Sequence, residues 1–163
     1  MLKKLKIYID TSAIGYLDEH ESPNDMKAML AFWNDIKSSK YDVIISELTF
    51  KELNDNKNTE KVNTLLGYIT QIEYETIGIT EEAENIASLV KKNELLISDK
   101  HHNDRLHIGC AFVAGCDIIV SMNFKHLVNI KTIRGVRAIS NIEGYKNLDI
   151  IQPAALVEEE GAN

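Results

Sequence analysis

Four places in this sequence could do chemistry: Asp10, one of the glutamates Glu47 and Glu52, Asp104 and Asn123. Asp10 ends the apolar run Ile7-Tyr8-Ile9 and is followed by two hydroxyls, Thr11 and Ser12. Glu52 closes the stretch Ser46-Glu47-Leu48-Thr49-Phe50-Lys51-Glu52, and Asp104 opens a segment of mostly apolar or small residues with His107 one turn further on. Asn123 follows Ile118-Ile119-Val120-Ser121-Met122, repeating the logic of the first run with an amide in place of the acid. Carboxylates that converge on one crevice repel each other and raise their own pKa values unless a cation joins them. Oxygen donors with no cysteine and at most one histidine favour Mg²⁺ or Mn²⁺ over zinc. Such ions orient water and stabilise charge on phosphoryl oxygens.

Each of these residues also has an ordinary explanation. Asp10 has the chemistry of a helix N-cap, although three capping residues in a row are more than a cap requires. Asp104 near a helix N-terminus is favourable with the macrodipole, and His107 reads as a packed, hydrogen-bonded core histidine before it reads as a ligand. Glu47 and Glu52 point about 140° apart on a helix, so they cannot both face one crevice. Asp117 begins the strand that Asn123 follows, roughly 17 to 20 Å away at about 3.3 Å per residue, and is therefore the wrong acid for this site.

The elements that must position these residues alternate short β-branched runs with longer helical periods, the pattern of βαβ units and a parallel sheet. Strands are expected over residues 6–10, 43–46, 73–77, 118–121 and 148–151, and helices over 25–38, 47–54, 59–72, 81–92, 104–114 and 131–141. In an open parallel sheet the ligand crevice lies outside the carboxyl ends of the strands, where Asp10, Ser46 and Ser121 fall. The stripe Met26, Met29, Leu30, Trp33 and Ile36 is more simply a core-facing helix side than a binding surface.

At 163 residues and 44% hydrophobic content, the chain is expected to form one domain over 1–157, followed by an acidic, disordered tail over 158–163. The net charge of −7 argues against a nucleic-acid partner in bulk. Local charge differs, because between Met122 and Lys146 five basic residues face Glu143 alone. Lys125, Arg134 and Arg137 are the candidates there for a phosphate-binding rim. Cys110 and Cys116 have neither zinc-knuckle nor redox spacing and are expected to be free buried thiols in a reducing cytoplasm. No apolar run approaches a membrane span, so no membrane association is expected.

Taken in order, the apolar strand ending in Asp10-Thr11-Ser12, Ser46-x-x-Thr49-x-x-Glu52, Asp104-x-x-His107-Ile108-x-x-Ala111 and Ser121-x-Asn123-Phe124-Lys125-His126 resemble the motifs of a PIN domain. The likeness runs on to Gly144-Tyr145 and a final strand before Pro153. It implies a three-layer α/β/α sandwich around a central, mainly parallel sheet, and a metal-dependent ribonuclease of the kind found in VapC-type toxins, which cut RNA and are silenced by an antitoxin. It places the family's first acid on Asp10, its glutamate on Glu52 and its third acid on Asp104. The fourth position, often Asp, falls on Asn123, where an amide brings no charge.

Asp10 and Asp104 are then the expected ligands of Mg²⁺ or Mn²⁺, with Glu52 and Asn123 positioning its waters for in-line attack on an RNA phosphodiester. Thr11 and Ser121 are expected to hold the carboxylates by hydrogen bonds. One dominant ion is expected in the free protein, an expectation that two equally tight Mn²⁺ sites in a calorimetric titration would contradict. A homodimer is expected and an antitoxin is a candidate partner; an exposed apolar patch on the 25–38 or 59–72 helices would suit either. Two rivals remain. A haloacid-dehalogenase-type phosphatase needs a second acid where this chain has Ser12, and a non-catalytic RNA- or protein-binding domain of the same fold is favoured by Asn123 and the net charge.

Overall fold

The computed structural model describes residues 3–157, so the expected tail over 158–163 lies outside the described residues. Five strands, β1 (Lys6–Ile9), β2 (Asp42–Ser46), β3 (Glu75–Ile77), β4 (Ile118–Val120) and β5 (Asp149–Ile151), form one sheet in the order β3-β2-β1-β4-β5. Every pairing is parallel, with Ile7 opposite Val43 on one side and Ile118 on the other. Seven α-helices accompany them among the described residues: α1 (Thr11–Gly15), α2 (Pro23–Lys37), α3 (Glu47–Asn54), α4 (Thr59–Ile69), α5 (Glu81–Lys92), α6 (His102–Val113) and α7 (Ile130–Glu143).

The alternation of side chains along a strand divides the core into two layers. Ile7, Ile9, Val43, Ile45, Ile118 and Val120 pack with Met29, Phe32 and Trp33 of α2 and Leu65 of α4 on one face. Tyr8, Ile44, Ile119 and Ile150 pack with Ile86 and Val90 of α5, Ile108 of α6 and Val136 of α7 on the other. A sheet covered on both faces has strands buried on both sides, which is why the strand runs are nearly all apolar.

The order 3-2-1-4-5 makes the chain reverse direction of travel across the sheet between β1 and β4, and such a switch point opens a crevice at the carboxyl ends of those two strands. Asp10 leaves β1 there, and its backbone N–H still donates to the Val120 carbonyl at 3.2 Å. Ser121 leaves β4 beside it, donating to the Ile151 carbonyl at 3.1 Å.

Beyond shifts of one to three residues at the ends of elements such as α2, α4, α7 and β3, sequence expectation and structure differ in three places. Helix α1 was not expected, because five residues are too few to show a helical period. Helix α6 begins two residues before Asp104, after a 3₁₀ turn at Asp99–His101. The apolar stripes of α2 and α4 pack mainly on the core, so the exposed patch that would suit a partner on those helices is not there; the exposed large hydrophobics among the described residues, such as Phe124, Ile130 and Ile142, lie elsewhere. Both cysteines are buried and free, as expected, and among the described residues no helix is long and apolar enough to cross a membrane.

Candidate active site

Asp10 is 3% exposed and both of its carboxylate oxygens are held. Oδ1 accepts from the Ala13 backbone N–H at 2.9 Å, capping α1, and from the Ser12 hydroxyl at 2.7 Å. Oδ2 accepts from the Ser121 hydroxyl at 2.5 Å. Asp10 is thus a helix cap and also a buried carboxylate at the switch point. Burial pushes its pKa above the usual carboxylate value, although the charge of His107 and the three hydrogen bonds oppose this.

Glu52 sits on α3, held from two directions. Its Oε1 accepts from the Thr11 hydroxyl at 2.8 Å and from His107 Nε2 at 2.5 Å. Burial alone would raise the Glu52 pKa, but the His107 bond and charge, with the Thr11 and Asn103 bonds, bring it below the ordinary value. His107 in turn meets the Tyr8 hydroxyl through Nδ1 at 2.6 Å, and Tyr8 meets Ser46 Oγ at 2.6 Å. Ser46 caps α3 by accepting from the Thr49 N–H at 3.2 Å. An ionised Glu52 can only accept, so Nε2 carries a proton; burial raises the Tyr8 phenol pKa well above its usual value, so it keeps its proton and bridges His107 Nδ1 and Ser46 Oγ.

This relay from Ser46 through Tyr8 and His107 to Glu52 fixes the glutamate, and sequence reasoning found only part of it. His107 is the buried, hydrogen-bonded histidine that its setting suggested, but it serves Glu52 on a neighbouring helix rather than Asp104 on its own. Tyr8 was missed. Its signal was a phenol in the middle of an otherwise aliphatic strand, where a buried hydroxyl must find a partner.

Asn123 ties the last acid to the rest. Its backbone N–H donates to Ser121 Oγ at 3.0 Å, its Oδ1 accepts from the His126 backbone N–H at 3.0 Å, and its Nδ2 faces Asp104 Oδ1 at 3.4 Å. A backbone N–H can only donate, so the carbonyl oxygen must face His126 and the amide nitrogen is left for Asp104. The amide therefore turns its nitrogen toward Asp104, while its carbonyl is taken up by the His126 backbone. The other Asp104 oxygen, Oδ2, lies 3.4 Å from His101 Nδ1.

Two polar groups thus meet at the carboxyl ends of the strands, Asp10 with Ser121, Asn123 and Asp104, and Glu52 with Thr11 and His107, adjoining where Thr11 follows Asp10 in the chain. Among the described residues no Lys or Arg forms an ion pair with any of these three acids, and the only trio of His, Cys, Asp or Glu whose ligand atoms all lie within 4.8 Å of one another is His101, Asp104 and His126. Asp10, Glu52 and Asp104 are not drawn together that closely. Of the expected phosphate rim, Lys125 is exposed two residues beyond Asn123 and Arg134 is exposed on α7. Arg137 is not brought to the site. Its guanidinium pairs with Asp149 at 2.6 Å, and Asp149 begins β5, so in a parallel sheet this pair lies at the end away from Asp10.

No protein-family model and no curated protein matches the chain. Solved structures do. A chain of the DNA-bound VapBC complex from Salmonella typhimurium superposes with a TM-score of 0.55 at 14% identity, over 91% of this chain and 98% of that one. A chain of VapBC2 from Rickettsia felis, bound to a fragment of its promoter DNA, gives a TM-score of 0.51 at 15% identity over the same shares. With five parallel strands in this order and helices on both faces, the chain has the PIN-like fold of these VapBC structures.

Proposed function

We propose that this protein is a metal-dependent endoribonuclease and the toxin of a type II toxin–antitoxin pair. The observation that carries the reading is Asp10: a buried carboxylate at the switch point, linked to Asp104 through Ser121 and Asn123 and followed in the chain by Thr11, which holds Glu52, with no Lys or Arg paired to these acids among the described residues. The likeness to VapBC structures supports the fold on which this rests, and the motif resemblance supports the chemistry.

The donor set fits a hard divalent ion, since it offers carboxylates on three elements and, among the described residues, no Lys or Arg paired with them. Asp10 and Asp104 would hold Mg²⁺ or Mn²⁺, which when bound supplies a water of lowered pKa and stabilises charge on the phosphate. The protein's own work is positional. Ser121 and Ser12 fix the Asp10 carboxylate, Thr11 and His107 fix Glu52 where it can accept a proton from the attacking water, and Lys125 and Arg134 present positive charge for the RNA backbone. An antitoxin is the partner this reading requires.

Single-stranded RNA incubated with the protein and Mn²⁺ should be cleaved, and Asp10→Asn should lose at least about 100-fold of that activity. One rival keeps a specific observation in its favour: the amide at Asn123 and the net charge of −7 suit a domain that binds RNA or protein without cutting. RNA affinity that persists with no metal-dependent cleavage would favour that rival.

A further inference from the structure

We infer that His101, Asp104 and His126 form a second metal site, one that takes a borderline transition ion such as Zn²⁺ or Co²⁺ in preference to Mg²⁺. Their ligand atoms lie within 4.8 Å of one another, a spread that one ion bonded to all three could close with small side-chain movement. Two imidazole nitrogens and one carboxylate oxygen are the donors that select such ions, whereas Mg²⁺ prefers oxygen alone.

His101 and Asp104 are neighbours three residues apart, and His126 reaches them from a separate loop. Asp104 lies in the first turn of α6, and His101 ends the 3₁₀ turn that leads into that helix. His126 follows β4 in a loop whose backbone is anchored by the Asn123 side chain at 3.0 Å. The His101 and His126 rings stand 4.0 Å apart between centroids, and both residues are partly exposed, which leaves the trio open to solvent ions.

The arrangement gives Asn123 a purpose that the loss of an acid does not suggest. Its carbonyl holds the His126 loop while its amide nitrogen faces one Asp104 oxygen, leaving the other on the His101 side. A carboxylate at this position would accept the His126 N–H equally well but would repel Asp104. The inference rests on the proposed nuclease reading only in that Asp104 would be shared between the two sites.

Calorimetric titration with Zn²⁺, and visible absorption of the Co²⁺ complex, test it on the whole chain. One Zn²⁺ per chain is expected, weakened at least about 30-fold in His101→Gln and in His126→Gln, unchanged in His102→Gln, retained in Asp10→Asn, and not displaced by an equal concentration of Mg²⁺. Zn²⁺ binding untouched by both histidine variants, or following His102 instead, would overturn the site. Failure of RNA cleavage with this pattern of Zn²⁺ binding intact would overturn the nuclease reading alone.

Discussion

Asp10 and Glu52 carry opposite electrostatic signatures, and the difference can be measured. The Asp10 pKa is raised in the folded state, so the native protein binds that proton more readily than the unfolded chain does, and the ionised carboxylate destabilises the fold above that pKa. Asp10→Asn should therefore raise Tm at pH 7 in EDTA, with the gain shrinking as pH falls toward roughly 4. The Glu52 pKa is lowered, so its contribution is present above the unfolded value and is lost as pH falls through the folded one. Glu52→Gln should lower Tm at pH 7 and have little effect in acid, as thermal melts across pH would show. Tyr8→Phe tests the relay behind Glu52: it removes a hydroxyl shared by Ser46 and His107, both buried, and should cost about 1–3 kcal/mol in a urea melt. At this scale the acids themselves were legible, Asp10 from its strand end, Asp104 from its place near a helix start and Glu52 only from the motif spacing after Ser46. Their support was not, because Tyr8 and His107 are 99 residues apart and meet only in the fold.

Among the elements, α6 has the most to hold in place, since it carries both Asp104 and His107 and is buried along most of its length. It approaches α5 so closely that a Cβ at Gly109 would run into the Ala83 carbonyl, a backbone atom that cannot swing aside. Gly109→Ala should therefore lower stability by about 1–3 kcal/mol and weaken Zn²⁺ binding as well, because a shifted α6 moves Asp104. Gly135→Ala is the comparison: there the added methyl meets the buried Leu95 side chain rather than backbone, so it should cost stability without weakening Zn²⁺ binding. The strands and long helices were readable from period alone, down to the Ser46 cap. Helix α1 was not, being one short turn whose cap and catalytic candidate are the same residue, so that Asp10 looked like a choice between two roles when it fills both.

Over the whole molecule, a net charge of −7 means that RNA must be held by local positive charge rather than by the general field. The sheet separates the candidates by end. Lys125 lies near Asn123, whereas Arg137 is neutralised by Asp149 at the other end, a distinction invisible in a sequence where both belong to one basic stretch. Lys125→Ala should weaken RNA binding and reduce the slope of log affinity against log salt by about one, while Arg137→Ala leaves both unchanged. The α/β/α order itself was legible, because alternating strand and helix periods admit few other folds. The partner surface was not, because the apolar stripes of α2 and α4 that suggested one pack mainly on the core, with Met26, Leu30, Leu66 and Tyr68 only partly buried.

The most direct test of the account is the rate of single-stranded RNA cleavage by the purified chain with Mn²⁺ and with excess EDTA, wild type beside Asp10→Asn. The account predicts cleavage by the wild type only when the ion is present, and a loss of at least about 100-fold in the variant. Cleavage at the wild-type rate by Asp10→Asn, or cleavage indifferent to EDTA, would contradict it.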